Sequence, residues 1–297
     1  MEWFGGSKGH FLPLVDKGQM DTVWVVMVVM CNGRRPWVCG LWKLWLLLCL
    51  HFRWLTTASM SQVLLLVDDD QLSVIDRLLH KTGVTRSVLV TFVDTRSMFA
   101  THGFMTRFLV AAQFAQRVRR EEPILFCFMD DDMLLSTHLY DKLLQHALRD
   151  KDAIWGVFGR NLSLDDDGIP IYSTLSPYAE TTSCSIALTK CVMIRAAFVP
   201  HICDTYMRRQ DIFQHMQSST PKGNGEDILM SWCFQGQCRC LTSDDRWCRY
   251  VDLGVLSTLF RKGHQKHRTQ LVRLLWACVR HPAQEKTAVG FGSQPGT

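Results

Sequence analysis

From about residue 61 the chain alternates short, continuous apolar runs with longer segments whose apolar residues recur every three or four positions. The continuous runs are typical of strands buried on both faces, and the spaced pattern is typical of amphipathic helices. The predicted strands are Gln62–Val67, Ser87–Val93, Pro123–Met129 and Ala153–Phe158, and the predicted helices are Gln71–Leu79, Met105–Arg119 and Leu134–Leu148. This alternation predicts an α/β domain with a mainly parallel central sheet flanked by helices.

Two apolar runs precede that pattern, VWVVMVVMC at 23–31 and PWVCGLWKLWLLLCL at 36–50. Neither reaches the ~20 apolar residues that span a bilayer. The second run, preceded by Arg34 and Arg35, still resembles a signal anchor that would leave the rest of the chain in the lumen. The alternatives are a buried core helix or an unstructured start.

Three segments are therefore expected. Residues 1–57 form the N-terminal hydrophobic segment, residues 58–281 form the globular domain, and residues 282–297 form a disordered tail.

The composition narrows the class of protein. The chain has 297 residues, of which 47% are hydrophobic and 21% charged, so it can bury a large core. Bulk disorder, collagen and a coiled coil are excluded. The net charge of +5 is spread without a dense basic block, so no nucleic-acid partner is expected.

Three Asp triplets stand out, at Asp68–Asp70, Asp130–Asp132 and Asp165–Asp167. The first two follow predicted strands, and the third lies in a polar stretch that predicts a solvated turn. Adjacent carboxylates repel one another and favour a divalent cation such as Mg²⁺ or Mn²⁺, which can also bind a diphosphate. Asp residues at a helix N-terminus would give the same pattern.

The second triplet has a specific context. In order along the chain stand TRFL at 106–109, the triplet, WGVFGR at 155–160, SIALT at 185–189, GEDILM at 225–230 and GH…HRTQ at 263–270. This order resembles the exostosin C-terminal domain, glycosyltransferase family 64. The resemblance covers about residues 62–280 and is weak in its first third.

The resemblance implies a GT-A type nucleotide-sugar-binding fold and a retaining, metal-dependent hexosyltransferase. The expected donor is a UDP-sugar, with an N-acetylhexosamine as the sugar, and the expected acceptor is a glycan or glycolipid. The expected cofactor is Mn²⁺, with Mg²⁺ as a substitute. The chain would be a single-pass type II membrane protein of the Golgi or endoplasmic reticulum, with its catalytic domain in the lumen.

The resemblance also implies roles for the residues that match the family's motifs. Asp130 and Asp132 would hold the metal, and Arg107, Asp130, Asp131 and Arg268 would bind the donor. Asp227 matches the carboxylate proposed as catalytic in the family, with Glu226 beside it and Arg268 in the same active site.

The chain departs from the family in places. Gly225 and Leu271 stand where the family has two cysteines that form a disulfide, and Lys190 replaces a glycine beside the expected sugar pocket. These departures keep two alternatives open. One is a catalytically inactive binding partner of another transferase, and the other is a metal-dependent phosphatase built on Asp68–Asp70.

Two further features depend on the compartment. Cys233, Cys238, Cys240 and Cys248 could bind zinc, form luminal disulfides of undecided pairing, or remain free thiols. Asn161 begins the sequon Asn-Leu-Ser, which predicts glycosylation if the chain is luminal.

Overall fold

A computed structural model describes most of the region between residues 90 and 280 and two earlier strands. The described ranges are 24–31, 60–67, 90–118, 123–130, 133–135, 137–172, 182–220, 222–234, 237–241, 250–252 and 263–280. The predicted helix Gln71–Leu79, the triplet Asp68–Asp70 and the tail 282–297 lie outside them.

A seven-stranded mixed sheet organises the described part of the chain. Its strands are β1 (Trp24–Cys31), β2 (Met60–Val67), β3 (Val90–Asp94), β4 (Ile124–Asp130), β6 (Ile154–Gly156), β11 (Cys191–Arg195) and β12 (Cys238–Cys240). The spatial order is β12-β6-β11-β4-β1-β2-β3. Neighbours run parallel except β11, which is antiparallel to both β4 and β6. The predicted α/β class with a mainly parallel sheet is confirmed.

The strand β1 lies near the middle of this sheet. It pairs with β2 on one side and β4 on the other, and the residues from Val25 to Val29 are almost completely buried. The sequence analysis placed this run in a segment preceding the domain, whereas the structure makes it a strand of the domain's own sheet. Five to seven consecutive apolar residues suit a strand covered on both faces, which explains why the run has no polar alternation.

The second apolar run, residues 36–50, lies outside the described residues. Among the helices that the structure describes, none is both long enough and apolar enough to cross a membrane.

Seven α-helices are described. They are α1 (Arg96–His102), α2 (Thr106–Arg117), α3 (Thr137–Arg149), α4 (Val199–Arg208), α5 (Gln210–Gln217), α6 (Glu226–Cys233) and α7 (His264–Arg280). The helices α2 and α3 confirm two predicted helices with shifted ends. In α3 the predicted apolar face is buried at Leu139, Leu143 and Leu144.

Short strands complete the described part. They are β5 (Met133–Leu135), β7 (Gly159–Arg160), β8 (Ser163–Leu164), β9 (Pro170–Ile171), β10 (Ile186–Ala187) and β13 (Tyr250–Asp252), which pair as β13-β5, β10-β7 and β8-β9.

The third Asp triplet forms the turn between β8 and β9. The Asp165 carboxylate accepts hydrogen bonds from the backbone N–H groups of Asp167 and Ile169, at 3.2 and 2.7 Å. Gly168 adopts φ +70°, which suits glycine at a turn. The prediction of a turn is confirmed.

Candidate functional site

Five predicted site residues come together beside the carboxyl end of β4. Asp130 is the last residue of β4, and Arg107 lies in the first turn of α2. Glu226 and Asp227 open α6, and Arg268 lies on the buried face of α7. In open α/β sheets, ligands bind beyond the carboxyl ends of the strands, so this is where a binding site is expected.

Arg107 and Asp130 form one side of the site. The Nη1 atom of Arg107 donates to Asp130 Oδ1 at 3.0 Å and to the carbonyl oxygen of Thr189 at 3.3 Å. Arg107 is only 3% exposed, whereas 28% of the Asp130 side chain is exposed. Burial alone lowers the pKa of Arg107, but nearby carboxylates, with Asp130 first, outweigh it and raise that pKa. Arg107 is therefore a fixed cation whose carboxylate partner reaches solvent.

Thr189 joins this side to Glu226. Its hydroxyl donates to Glu226 Oε1 at 2.9 Å, and the N–H of Gly225 donates to Oε2 at 3.2 Å. Burial and the adjacent Asp227 carboxylate raise the pKa of Glu226 to about 7. Thr189 thus holds Arg107 through its backbone and Glu226 through its side chain.

Asp227 and Arg268 form the other side. Arg268 Nη2 donates to both carboxylate oxygens of Asp227, at 2.6 and 2.5 Å, and Arg268 Nη1 donates to Asn224 Oδ1 at 3.0 Å. Both charged residues are 5% exposed. The guanidinium lies 4.3 Å from the ring centroid of Tyr172, a cation–π contact. Burial opposes the charge, but Asp227 and Tyr172 raise the pKa of Arg268, so it stays cationic.

Gly225 allows this pair of helices to approach. It adopts φ +104° directly before α6. A β-carbon at this position would lie 2.4 Å from Cδ2 of Leu271 on α7. Residues 225 and 271, where the resembling family has its paired cysteines, therefore face each other in this structure.

Histidines surround the start of α7. His264 Nδ1 lies 3.1 Å from Asn224 Nδ2, and the rings of His215 and His267 stack with centroids 4.0 Å apart. His215 Nε2 donates to the carbonyl oxygen of His267 at 2.9 Å. Burial, with His215 and Arg268 nearby, lowers the pKa of His267 to about 4. His267 is therefore neutral at pH 7, and its stacking on His215 joins α7 to α5.

Of the three residues of the predicted donor and metal triplet, only Asp130 is among the described residues. Asp130 lies at the expected strand end, but Asp131 and Asp132 fall outside the described residues. Within the described ranges, no group of three His, Cys, Asp or Glu side chains could hold a metal ion. Among the described carboxylates of the predicted site, Glu226 accepts from Thr189 and Asp227 from Arg268, whereas Asp130 is partly exposed to solvent.

The remaining predicted positions lie nearby. The Nζ atom of Lys190 lies 5.9 Å from the centroid of the Phe158 ring, and its carbonyl oxygen accepts from the Asp130 N–H at 3.0 Å. Asn161 is exposed, as a glycosylation site requires, and its Oδ1 accepts from the N–H of Ser185 at 3.1 Å. Its glycosylation stays a prediction.

The structure shows no disulfide among the cysteines whose side chains it describes, namely Cys127, Cys184, Cys191, Cys203, Cys233, Cys238 and Cys240. Cys248 lies outside the described residues. The predicted zinc alternative gains no cluster of ligands among those described.

Three residues of the site were missed at the sequence level. Each of them contacts a site residue far along the chain: Thr189 contacts Glu226, and Asn224 and Tyr172 both contact Arg268. Thr189 ends the motif SIALT, and Asn224 directly precedes the motif GEDILM, so the motifs provided a reason to examine both positions. No motif includes or adjoins Tyr172.

No model of a known protein family matches the chain, and no curated protein sequence matches it. Two solved structures are similar in shape. One is the crystal structure of 4-diphosphocytidyl-2C-methyl-D-erythritol synthase from Anaerococcus prevotii, with 13% identity, a TM-score of 0.49, and coverage of 86% of this chain and 99% of that one.

The other is GalNAc-T7 with UDP, GalNAc and Mn²⁺, with 10% identity, a TM-score of 0.49, and coverage of 91% of this chain. The chain spans 53% of the length of that structure. Likenesses this low carry no argument about function, so the functional argument rests on the residues of this chain.

Proposed function

We propose that this chain is a metal-dependent retaining glycosyltransferase with a GT-A fold, a divergent relative of the exostosin C-terminal domain. Its donor would be a nucleotide-diphosphate sugar, most simply a UDP-N-acetylhexosamine, and its acceptor a glycan or glycolipid. The observation that supports this is the convergence of residues from four separate motifs, Arg107, Asp130, Glu226–Asp227 and Arg268, beside the end of one strand.

Two buried cations are suited to the leaving group. The bond from the sugar to the diphosphate breaks as negative charge accumulates on the diphosphate oxygens, and fixed guanidinium groups stabilise that charge. Arg107 and Arg268 are both held cationic by neighbouring carboxylates. A Mn²⁺ ion held by Asp130 and Asp132, when bound, would neutralise further diphosphate charge.

Asp227 is suited to the sugar. Positive charge develops at the sugar carbon as the donor bond breaks, and a nearby carboxylate stabilises an oxocarbenium-like centre. Arg268 donates to both Asp227 oxygens, so it orients the carboxylate. The luminal location remains part of the proposal. A type II anchor at residues 36–50 does not, because β1 precedes that run and pairs with β2 and β4, and a strand on the cytosolic side of an anchor could not join a luminal sheet.

One observation favours the inactive binding partner as the second candidate. Both oxygens of Asp227 are already occupied by Arg268, and the pair is almost completely buried. A carboxylate that stays closed in this way would support the fold without touching a sugar. This candidate predicts nucleotide binding without turnover.

The deciding experiment is hydrolysis and transfer by the full-length chain, screened over nucleotide sugars with Mn²⁺ or EDTA. We expect turnover of one donor that is lost with EDTA, in Asp132→Asn and in Asp227→Asn. Asp204→Asn, at an exposed carboxylate, is the control and should keep full activity. Thermal unfolding of every variant separates loss of chemistry from loss of fold.

Binding of UDP without turnover of any donor would favour the inactive partner. Metal-dependent phosphate release without sugar transfer would instead favour the phosphatase built on Asp68–Asp70. A folded protein that binds no nucleotide would contradict the proposal.

A further inference from the structure

Two buried thiols from distant parts of the chain lie side by side next to Gly159. Cys184 precedes β10, and Cys240 is the last residue of β12. An antiparallel bridge between Ser183 and Arg239 aligns the two segments. The N–H of Cys184 donates to the carbonyl oxygen of Cys238 at 3.2 Å, and the N–H of Cys240 donates to that of Thr182 at 2.7 Å. The two backbones are therefore held in a fixed register.

The sulfur atoms share one small space, which exists because residue 159 has no side chain. A β-carbon on Gly159 would lie 2.7 Å from Cys184 Sγ and 2.8 Å from Cys240 Sγ. The thiol of Cys184 donates a hydrogen bond to the sulfur of Cys240. A disulfide needs a sulfur–sulfur distance of about 2.05 Å, so closing it requires the two sulfurs, which lie beside the same point, to approach each other further.

The neighbouring cysteines have other partners. Cys233 Sγ lies 3.8 Å from Thr205 Oγ1, and Cys238 Sγ donates to the carbonyl oxygen of Ser231 at 3.6 Å. Cys233 thus contacts α4, and Cys238 contacts α6. The structure thus distinguishes Cys240 from its sequence neighbours, which the spacing of the cysteines could not do.

We propose that Cys184 and Cys240 form an intramolecular disulfide when the protein meets a small-molecule disulfide such as oxidised glutathione. The proposal does not depend on the proposed transferase function. It resolves the pairing that the sequence left open, by joining Cys240 to a residue more than fifty positions earlier rather than to a member of its own cluster.

The chemistry is two thiol–disulfide exchanges. The Cys240 thiolate attacks one sulfur of oxidised glutathione, which forms a mixed disulfide and releases a glutathione thiolate. The Cys184 sulfur, once deprotonated by that released thiolate, attacks the Cys240 sulfur and releases the second glutathione. Two protein thiols are oxidised, and one glutathione disulfide is reduced to two glutathione thiols.

The local environment favours Cys240 as the attacking group. The hydrogen bond from Cys184 stabilises its thiolate and lowers the pKa of Cys240. The same bond and burial raise the pKa of Cys184. In the described seven-stranded sheet β12 is the last strand, so the pair lies at an edge of the sheet and not at its centre.

Trypsin makes the test unambiguous, since the sequence places the two cysteines in separate peptides. Cys184 is the sole cysteine of peptide 161–190, and Cys240 is the sole cysteine of peptide 240–246, whereas Cys233 and Cys238 fall together in 223–239. The full-length protein, purified reduced, is incubated with a mixture of oxidised and reduced glutathione, alkylated, digested and analysed by mass spectrometry without reduction.

We expect peptide 161–190 linked to peptide 240–246, with the linked mass lost on reduction and absent from Cys184→Ser and Cys240→Ser. Cys203→Ser, at a buried thiol on α4, is the matched control and should leave the linkage intact. Thermal unfolding of the oxidised wild type should shift upward by several degrees, and Cys184→Ser should show no such shift.

Linkage of peptide 240–246 to peptide 223–239 or to the peptide containing Cys248 would overturn the proposal. So would free Cys184 and Cys240 in a protein that stays folded through the oxidation. Because the wild-type map alone decides between these outcomes, the test does not depend on the folding of the variants.

Discussion

The buried pair of Asp227 and Arg268 is the strongest electrostatic contact of the site. Both side chains are withdrawn from water, and each satisfies the charge of the other. Removing one partner of such a pair leaves the other charge buried and unpaired, which is far more costly than losing an exposed ion pair.

We therefore expect Asp227→Asn to lower the free energy of unfolding by about 3–5 kcal/mol, because Arg268 keeps its charge without a carboxylate. Chemical denaturation monitored by circular dichroism measures the change. The control is Asp204→Asn, whose partner Arg208 is 3.5 Å away and exposed, and it should change stability by less than about 0.5 kcal/mol. Equal effects in the two variants would contradict the buried pair.

Glu226 is expected to make stability depend on pH. Its folded-state pKa of about 7 lies above the ordinary 4.5, so the folded protein holds a proton that the unfolded chain has lost. The stabilisation is complete below pH 4.5 and disappears as pH rises through 7. Over this pH range the free energy of unfolding should change by an amount on the order of 3 kcal/mol.

The measurement is thermal unfolding of wild type and Glu226→Gln between pH 4.5 and 8. The difference between the two proteins isolates Glu226 from His267, whose lowered pKa makes stability fall as pH falls below 6.5. We expect wild type to lose stability relative to Glu226→Gln as pH rises. Parallel pH profiles would show that Glu226 is ionised throughout.

At the scale of elements, the site is formed where one turn and the N-terminal parts of two helices pack together. The turn after β10 supplies Thr189, α6 begins with the two acidic residues, and α7 supplies Arg268. None of these contacts lies within one element. A substitution at any of these contacts therefore probes how the elements pack against each other as well as the chemistry of the site.

Thr189→Val should weaken the link between α6 and the Arg107 side. The substitution removes the hydroxyl that donates to Glu226 but keeps the carbonyl that accepts from Arg107. Leaving a buried carboxyl oxygen without this donor costs about 1–3 kcal/mol. Denaturant unfolding measures the loss, and Thr189→Ser, which keeps the hydroxyl, should recover most of it.

Gly225→Ala should destabilise the contact of α6 with α7 for two reasons. The backbone at φ +104° disfavours any side chain, and the new methyl group would meet Leu271. Gly263→Ala, at φ +86° with open space around it, is the control and should show only the backbone cost of about 1–2 kcal/mol. We expect the larger loss at Gly225, measured by denaturant unfolding.

A double-mutant cycle separates the two causes. In the presence of Leu271→Ala the clash disappears, so Gly225→Ala should cost less than it does in wild type. Additive effects of the two substitutions would show that residues 225 and 271 do not touch.

At the scale of the whole molecule, the position of β1 decides where the domain begins. This strand is paired on both sides and buried, so its removal would leave β2 and β4 with unpaired backbone and exposed apolar faces. A chain that begins at residue 58 should therefore fail to give a cooperative thermal transition. A chain that begins at residue 20 retains β1 and should keep a cooperative thermal transition.

Circular dichroism and gel filtration of the two shortened chains measure the difference. Cooperative unfolding of the chain that begins at residue 58 would restore the boundary predicted from the sequence and contradict the central place of β1.

The sequence predicted β2, β3, β4 and β6 because each contains a continuous apolar run. It predicted the motif residues because their types suit a diphosphate site. It placed β1 in a different segment, because a short run of valines and methionines looks the same before a membrane as inside a sheet. It named Asp227 as the candidate catalytic carboxylate, with Glu226 beside it, from the resemblance and not from their surroundings. Their environments differ, since Glu226 is held by Thr189 and Asp227 by Arg268.

The sequence by itself determined the α/β class, the order of most strands and helices, and the charged residues from which the site is built. The tertiary structure decided which of those charges meet, that β1 lies between β2 and β4, and that Cys240 faces Cys184. The physical reason is that periodicity records which side of a segment is buried. Contacts between segments far apart in the chain depend on packing, and no local pattern records them.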